Sequence, residues 1–346
     1  MRNDVTFYAE WESADYILLA LPHSATDWNY ILPEAIEQYR RLISALDSHG
    51  ERCILLVANR VEAEKLFSNE SWERVRFVEL PFNDTWIRDY GPISVKRHDR
   101  NRLIDFGFNG WGLKFAADKD NLVNLRLAEA EVFPEDALRN RRSFILEGGS
   151  IETDGEGTLL TTTRCLLSPN RNGSFSKREI AEELERELGA DHILWLDYGS
   201  LRGDDTDSHI DTLCRLAPEN IIFFTGCRNA DDDHFEDLLK MRAQLTLMRN
   251  KYGDPFNLVE LPFPDPICDD EGNRLPATYA NYLVTRTHIY MPTYNQPDND
   301  MLACRIVKIA FPTREVVPVD CRTLIKQHGS LHCSTMQVRV EELRSR

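Results

Sequence analysis

Residues 14–21 read ADYILLAL, residues 33–50 read PEAIEQYRRLISALDSHG and residues 53–58 read CILLVA. The first and third are apolar runs of buried-strand length, and the second carries its apolar residues at helical spacing and stops at Gly50. Strand, helix, strand in that order is the rhythm of an α/β fold. It recurs downstream. Residues 143–147 and 158–163 read as strands flanking an Asp154-Gly155 turn, which predicts a hairpin. Residues 176–189 read as a helix with Ser176 as N-cap, Glu179 three residues on and Gly189 as terminator. Strands follow at 193–196 and 221–224, a helix around 232–249, and strands near Leu258, Tyr282 and Ile289. A last helix over 298–311 precedes a strand over 315–319. The Pro-rich stretch 262–276 contains Phe263, Ile267 and Cys268 and reads as an ordered surface loop, not a linker. One domain of repeated strand–helix units over 1–346 is the expected organisation.

The 346 residues are long enough to bury a large core, and 17 Gly with 16 Pro are too few for a collagen-like or low-complexity chain. With 41 basic and 57 acidic residues the formal charge is −16, which disfavours nucleic acid and anionic membrane as partners and favours a small cation. No apolar run follows Arg2 and no run reaches membrane-spanning length, so neither a secretory leader nor a membrane segment is expected. Eight cysteines are scattered without a CxxC pair, as suits a reducing cytoplasm. The sequence leaves the assembly open, a homodimer being one possibility.

Four segments carry polar chemistry without an evident structural duty. Asn83 to Pro92 places Trp86, Arg88 and Asp89 just after an apolar run; it fits either a polar loop with Arg88 and Asp89 paired or a binding segment. Glu147-Gly148-Gly149 sets a carboxylate at a strand end beside backbone that something can approach closely, or forms a simple turn. Gly203 to Asp211 is rich in Asp, yet lacks the glycine and closing glutamate of a calcium loop. His209 and Asp211, two apart on an extended segment, would project to one side and orient one another. Gly329 to Thr335 contains Cys333, and most cysteines are inert buried residues. His209, Asp211, Cys214, His332 and Cys333 lack structural-zinc spacing, and no GxGxxG or Walker sequence is present, so no metal or cofactor is expected. Together, a thiol, a histidine with a nearby Asp, and two further carboxylates form a set suited to covalent chemistry on a cation.

WIRDYGP, LEGGSIE followed by TTTRCLLSPNRN, GDDTDSHID and GSLHC resemble, in order, the marks of the agmatine deiminases and related Porphyromonas-type peptidylarginine deiminases. The resemblance runs from about Ala9 to Gln337. It implies a guanidine-modifying enzyme with a five-bladed α/β propeller (pentein) fold of ββαβ units around a central site; five units are about 69 residues each. It further implies Cys333 as nucleophile, Asp89 and Glu147 as guanidinium ligands, His209 as general acid and base, and Asp211 as a further carboxylate ligand that steadies His209. Paired carboxylates match the forked donors of a guanidinium and place its carbon before a thiolate. Hydrolysis of agmatine to N-carbamoylputrescine and ammonia is the expected reaction, with peptidyl or free arginine as the alternative substrate and a non-catalytic binder as the remaining reading. Trp86, Trp111, Asp205 and Asp207 are the expected substrate contacts, Trp111 being equally explicable as a core plug. Ser208 stands where many members of that family carry glycine.

Overall fold

The computed structural model describes residues 4–340, and its contacts group into two compact units. Among the described residues no helix is long and apolar enough to cross a membrane.

The unit of residues 13–148 and 333–346 contains the opening strand–helix–strand. Tyr16–Ala20 and Cys53–Val57 pair in parallel, Ile17 opposite Cys53, and Val75–Glu79 adds a further parallel strand. Parallel neighbours need a crossover. Helix Leu32–Ser48 supplies it, with Pro33 in its first turn and Ala35, Tyr39, Leu42, Ile43 and Leu46 buried along one stripe. All five residues of Cys53–Val57 are buried, as its unbroken apolar run requires. The strand antiparallel to Tyr16–Ala20 is Met336–Val338, from the far end of the chain. Here too Ile93–Arg97 and Arg100–Gly107 form an antiparallel pair, and Leu138–Ile145 runs parallel to the second after helix Val123–Glu129.

The unit of residues 1–12 and 149–332 repeats one arrangement three times. Ile151–Thr153 and Thr158–Thr162 pair antiparallel, helix Lys177–Leu188 crosses over, and His192–Leu196 returns parallel. Cys214–Ala217, Ile221–Thr225, helix Phe235–Leu247 and Asn257–Leu261 do the same, as do Leu283–Val284, His288–Thr293, helix Pro297–Ala310 and Glu315–Asp320. Each is a ββαβ unit.

One expectation is corrected. The hairpin at Asp154-Gly155 is built from Ile151–Thr153, not from residues 143–147, which end the parallel strand of another sheet. Helix Lys177–Leu188 has the expected ends: the Ser176 hydroxyl accepts from Glu179 N, the Glu179 carboxylate accepts from Ser176 N at 2.8 Å, and Gly189 closes it at φ +72. Ser176→Ala removes half of that box and should lower stability by about 1 kcal/mol, read as a smaller urea midpoint at unchanged slope.

Candidate active site

In the first of these units the segment after Val75–Glu79 folds into a single helical turn, Ile87–Tyr90, held at its start by polar groups. Asp120 Oδ1 accepts from Asn83 N at 2.6 Å, the Trp28 indole donates to Thr85 Oγ1 at 2.8 Å, and the Tyr90 hydroxyl donates to Asp84 O at 2.6 Å. Asp89 is buried, and its Oδ2 accepts from Trp111 Nε1 at 2.8 Å. Trp111 sits at φ +54, a strained conformation for a bulky side chain, with Asn109 capping the turn through a hydrogen bond from Gly112 N. Edge contacts with Phe108 and Phe115 hold the indole. Trp86 packs on Trp28 at 5.7 Å between ring centroids.

The backbone of Arg88 joins three of the predicted residues. Its N–H donates to Cys333 O at 3.2 Å, and its carbonyl lies against Gly148, where a Cβ would sit 2.2 Å away. Gly148 therefore admits the neighbouring chain, where the sequence suggested a ligand, and it leaves Glu147 buried at 1% exposure. The Arg88 side chain reaches Gln337. Cys333 is a buried free cysteine. Burial pushes the Cys53, Cys214 and Cys321 thiols far above the usual value, as for inert core cysteines.

The second unit holds Asp205, Asp207, His209 and Asp211. The loop is tied by Asp204, which accepts from Thr206 N, Thr206 Oγ1 and Ser208 N. Asp207 and Ser208 both adopt positive φ, +66 and +68, the left-handed conformation that glycine takes without strain. His209 caps the 3-10 turn Ile210–Thr212 and is buried, its carbonyl accepting from Thr212 Oγ1 at 2.8 Å. The segment is thus not extended, and the strand-alternation argument for His209 and Asp211 does not apply. Asp211 Oδ2 instead accepts from His332 Nδ1 at 2.7 Å and from Asn281 Nδ2 at 3.2 Å. Burial works to raise the Asp211 carboxyl, but the hydrogen bond and charge of His332, with the charges of His209 and Arg215, bring it below the usual value. Asp207, expected as a substrate contact, pairs at 2.6 Å with Arg171, whose side chain is fully buried. Asp205 is half-buried, 4.0 Å from His328 Nδ1.

Sequence reading missed several residues. Arg171 lies inside the quoted TTTRCLLSPNRN, and its buried charge is the reason that motif approaches the GDDTD loop. Glu152, Arg215 and His332, all buried, form a cluster with the partly buried Glu10. Glu10, Glu152 and His332 have spacing that could hold a metal ion. Arg215 already places its guanidinium on both carboxylates, so this donor set is neutralised by a resident cation.

The model of the Porphyromonas-type peptidyl-arginine deiminases matches residues 6–338. The chain belongs to this family. A structure from Porphyromonas gingivalis, provisionally named arginine deiminase, is 43% identical, covers 96% of this chain and 98% of its own, and superposes at TM-score 0.90. A cysteine-to-serine variant of C. jejuni agmatine deiminase with substrate bound is 36% identical over 98% and 97% of the two chains, also at TM-score 0.90. A Vibrio parahaemolyticus protein provisionally named agmatine deiminase is 31% identical over 96% of each chain. Two remote structures, a dimethylarginine dimethylaminohydrolase and an amidinotransferase at 15% and 13% identity, share the fold at TM-scores 0.54 and 0.57. The fold class is the α/β propeller of the penteins, as the repeated ββαβ units require.

Two acids near Asp89 have raised carboxyls: Asp84 is pushed up to about 7, and Asp120 to about 8, in both cases chiefly by burial. The folded chain holds these protons where the unfolded chain has released them. Their stabilising contribution is therefore complete below the ordinary carboxyl value near 4 and is lost as pH rises through about 7 and about 8. Asp120 Oδ2 is buried and takes no hydrogen bond. Asp120→Asn should flatten the fall in melting temperature between pH 5 and pH 8.5; an unchanged fall would show that Asp120 is ionised throughout.

Proposed function

We propose that this chain is an agmatine deiminase, a hydrolase of the amidine C–N bond that converts agmatine to N-carbamoylputrescine and ammonia, with residues 1–346 acting as a single catalytic domain. The observation that carries the reading is the Arg88 peptide, which links the segments of Asp89, Glu147 and Cys333 through backbone packing. The substrate-bound C. jejuni relative, a cysteine-to-serine variant of an agmatine deiminase, supports it. Asp89 and Glu147 grip the guanidinium, with Asp211 as a further carboxylate, and present its central carbon to Cys333. Cys333 Sγ attacks that carbon. His209 then protonates the departing nitrogen, ammonia leaves, and a thiouronium remains. Water deprotonated by His209 attacks the same carbon, the C–S bond breaks, and the thiol is restored as the ureido product departs.

The negative groups around Cys333 oppose its ionisation, so the free protein carries a neutral thiol and the cationic substrate helps to form the thiolate. Alkylation rate against pH in the free protein checks this: a thiol titrating below about pH 6 would replace it with a standing Cys–His ion pair. Trp86 and Trp111 wall the substrate, and Asp205, whose side chain is partly open to solvent, suits an ammonium tail. The ion pair with Arg171 gives Asp207 the narrower task of holding the loop. Cytoplasmic residence accords with eight free cysteines. A homodimer, no cofactor and no nucleic-acid or membrane partner complete the reading.

Peptidyl or free arginine is the second reading, favoured by the 43% identity to the P. gingivalis structure. Ammonia and ureido product are measured from purified protein offered agmatine, free arginine and a C-terminal arginine peptide. Turnover of agmatine alone supports the proposal, turnover only of an arginine substrate replaces it, and silence on all three leaves a binder. Cys333→Ala should be inactive yet folded, and Asp89→Asn should cost about 3 kcal/mol in kcat/KM.

A further inference from the structure

His332 has no role in the chemistry above, yet it is among the most tightly held side chains of its unit. It is 1% exposed. Nδ1 lies 2.7 Å from Asp211 Oδ2 and Nε2 lies 2.6 Å from Glu10 Oε1. Ionised carboxylates only accept hydrogen bonds, so a ring that faces one on each nitrogen satisfies both contacts by donating twice, as the imidazolium does. Its backbone is held as well: His332 N donates to Asn281 O at 3.1 Å and to Asn281 Oδ1 at 2.9 Å, while Asn281 Nδ2 turns to Asp211.

Behind the ring, Arg215 balances the charge. It contacts Glu10 and Glu152, donates to Ala280 O at 2.9 Å and Tyr282 O at 2.6 Å, and stacks on the Tyr282 ring at 4.4 Å. Its Nη2 lies 3.4 Å from His332 Nε2, a long contact between two donors when the ring gives its proton to Glu10. Asp211 and Glu10 thus face the two ring nitrogens, and Arg215 compensates Glu10. Glu10 comes from the opposite end of the chain, 322 residues away in sequence, so the cluster also ties the N-terminal segment to the residue that precedes Cys333.

We propose that His332 is a positioning residue: clamped between Asp211 and Glu10, it fixes the Asp211 carboxylate in the orientation that receives the guanidinium and anchors the chain one peptide bond before the nucleophile. The inference rests on the proposed deiminase reading, since it acts through Asp211. The bond that matters is the one from Nδ1; the bond from Nε2 to Glu10 holds the ring.

Conservative variants separate the two. In asparagine the amide nitrogen takes the place of Nδ1, and in glutamine it takes the place of Nε2. On whichever guanidine the wild type turns over, His332→Gln should lower kcat/KM by about 30-fold, with KM rising, and His332→Asn should stay within about 5-fold of wild type. In a Cys333→Ala background, the thermal shift produced by agmatine should survive His332→Asn and vanish in His332→Gln. Melting curves of the unliganded variants accompany both assays. Equal losses in the two variants would mean a merely structural histidine, and equal retention or the reverse order would mean that the Asp211 contact orients nothing; any of these overturns the proposal. A wild type active on arginine but not agmatine changes the substrate reading while leaving the comparison intact, and inertness toward every guanidine overturns both.

Discussion

A guanidinium buried at 1% exposure allows one of the two units to keep its acids inside. Glu10, Glu152 and Asp211 would each be costly to bury as anions in the absence of a cation, and Arg215 meets the first two directly while its charge also acts on Asp211. The two backbone carbonyls and the Tyr282 ring share the remaining guanidinium contacts. Burial raises the Glu152 carboxyl and Arg215 opposes it. The cluster is therefore close to neutral only while all its members are present, a condition that ties strand Cys214–Ala217, the segment around Glu10 and the residue before Cys333 into one set. Replacing Arg215 by an apolar residue would leave Glu152 buried and Glu10 partly buried with no cation between them, a larger loss than that of the ion pairs themselves.

The other unit solves its positioning problem with backbone. A peptide N–H and a peptide carbonyl have fixed geometry, so using both faces of Arg88 to receive Cys333 and Gly148 places three segments with no side-chain freedom to restrain. The side chains then require little: an indole for Asp89, and burial for Glu147. Trp111 can serve Asp89 only from a left-handed backbone, so the strain at φ +54 is the local cost of aiming that N–H.

Periodicity made most elements legible. Helix Leu32–Ser48 and the capped helix Lys177–Leu188 announce themselves through local spacing and end signals, and the structure agrees within a residue or two. The misplaced hairpin shows where such signals stop: residues 143–147 are a short apolar run close before a turn, but the strand they end pairs with Arg100–Gly107 across a helix, and nothing local marks a long-range parallel pairing. The polar residues divide in the same way. Asp89, Glu147, His209, Asp211 and Cys333 stand in recognisable motifs, whereas Arg215 looks like any charge in a short strand and Glu10 like any N-terminal acid. Their role depends on partners more than a hundred residues away, as with Glu10 and His332. His332 enters the sequence reading only as a zinc ligand that is set aside, and its chemistry appears once Asp211 is found at its Nδ1.

The acids also bear on how a cation would be received. The GDDTD run promises a strongly negative rim, but Asp204 ties its own loop, Asp207 faces Arg171, and the half-buried Asp205 lies near His328. A larger uncompensated demand lies in the other unit. Burial and the charges of Asp27 and Asp89 raise the Asp84 carboxyl, and a hydrogen bond from Thr85 N opposes them. With its carboxyl at about 7, a small favourable charge is enough to ionise it near neutral pH. Under the proposed assignment Asp89 receives a guanidinium, and that same positive charge would remove the repulsion Asp89 exerts on Asp84.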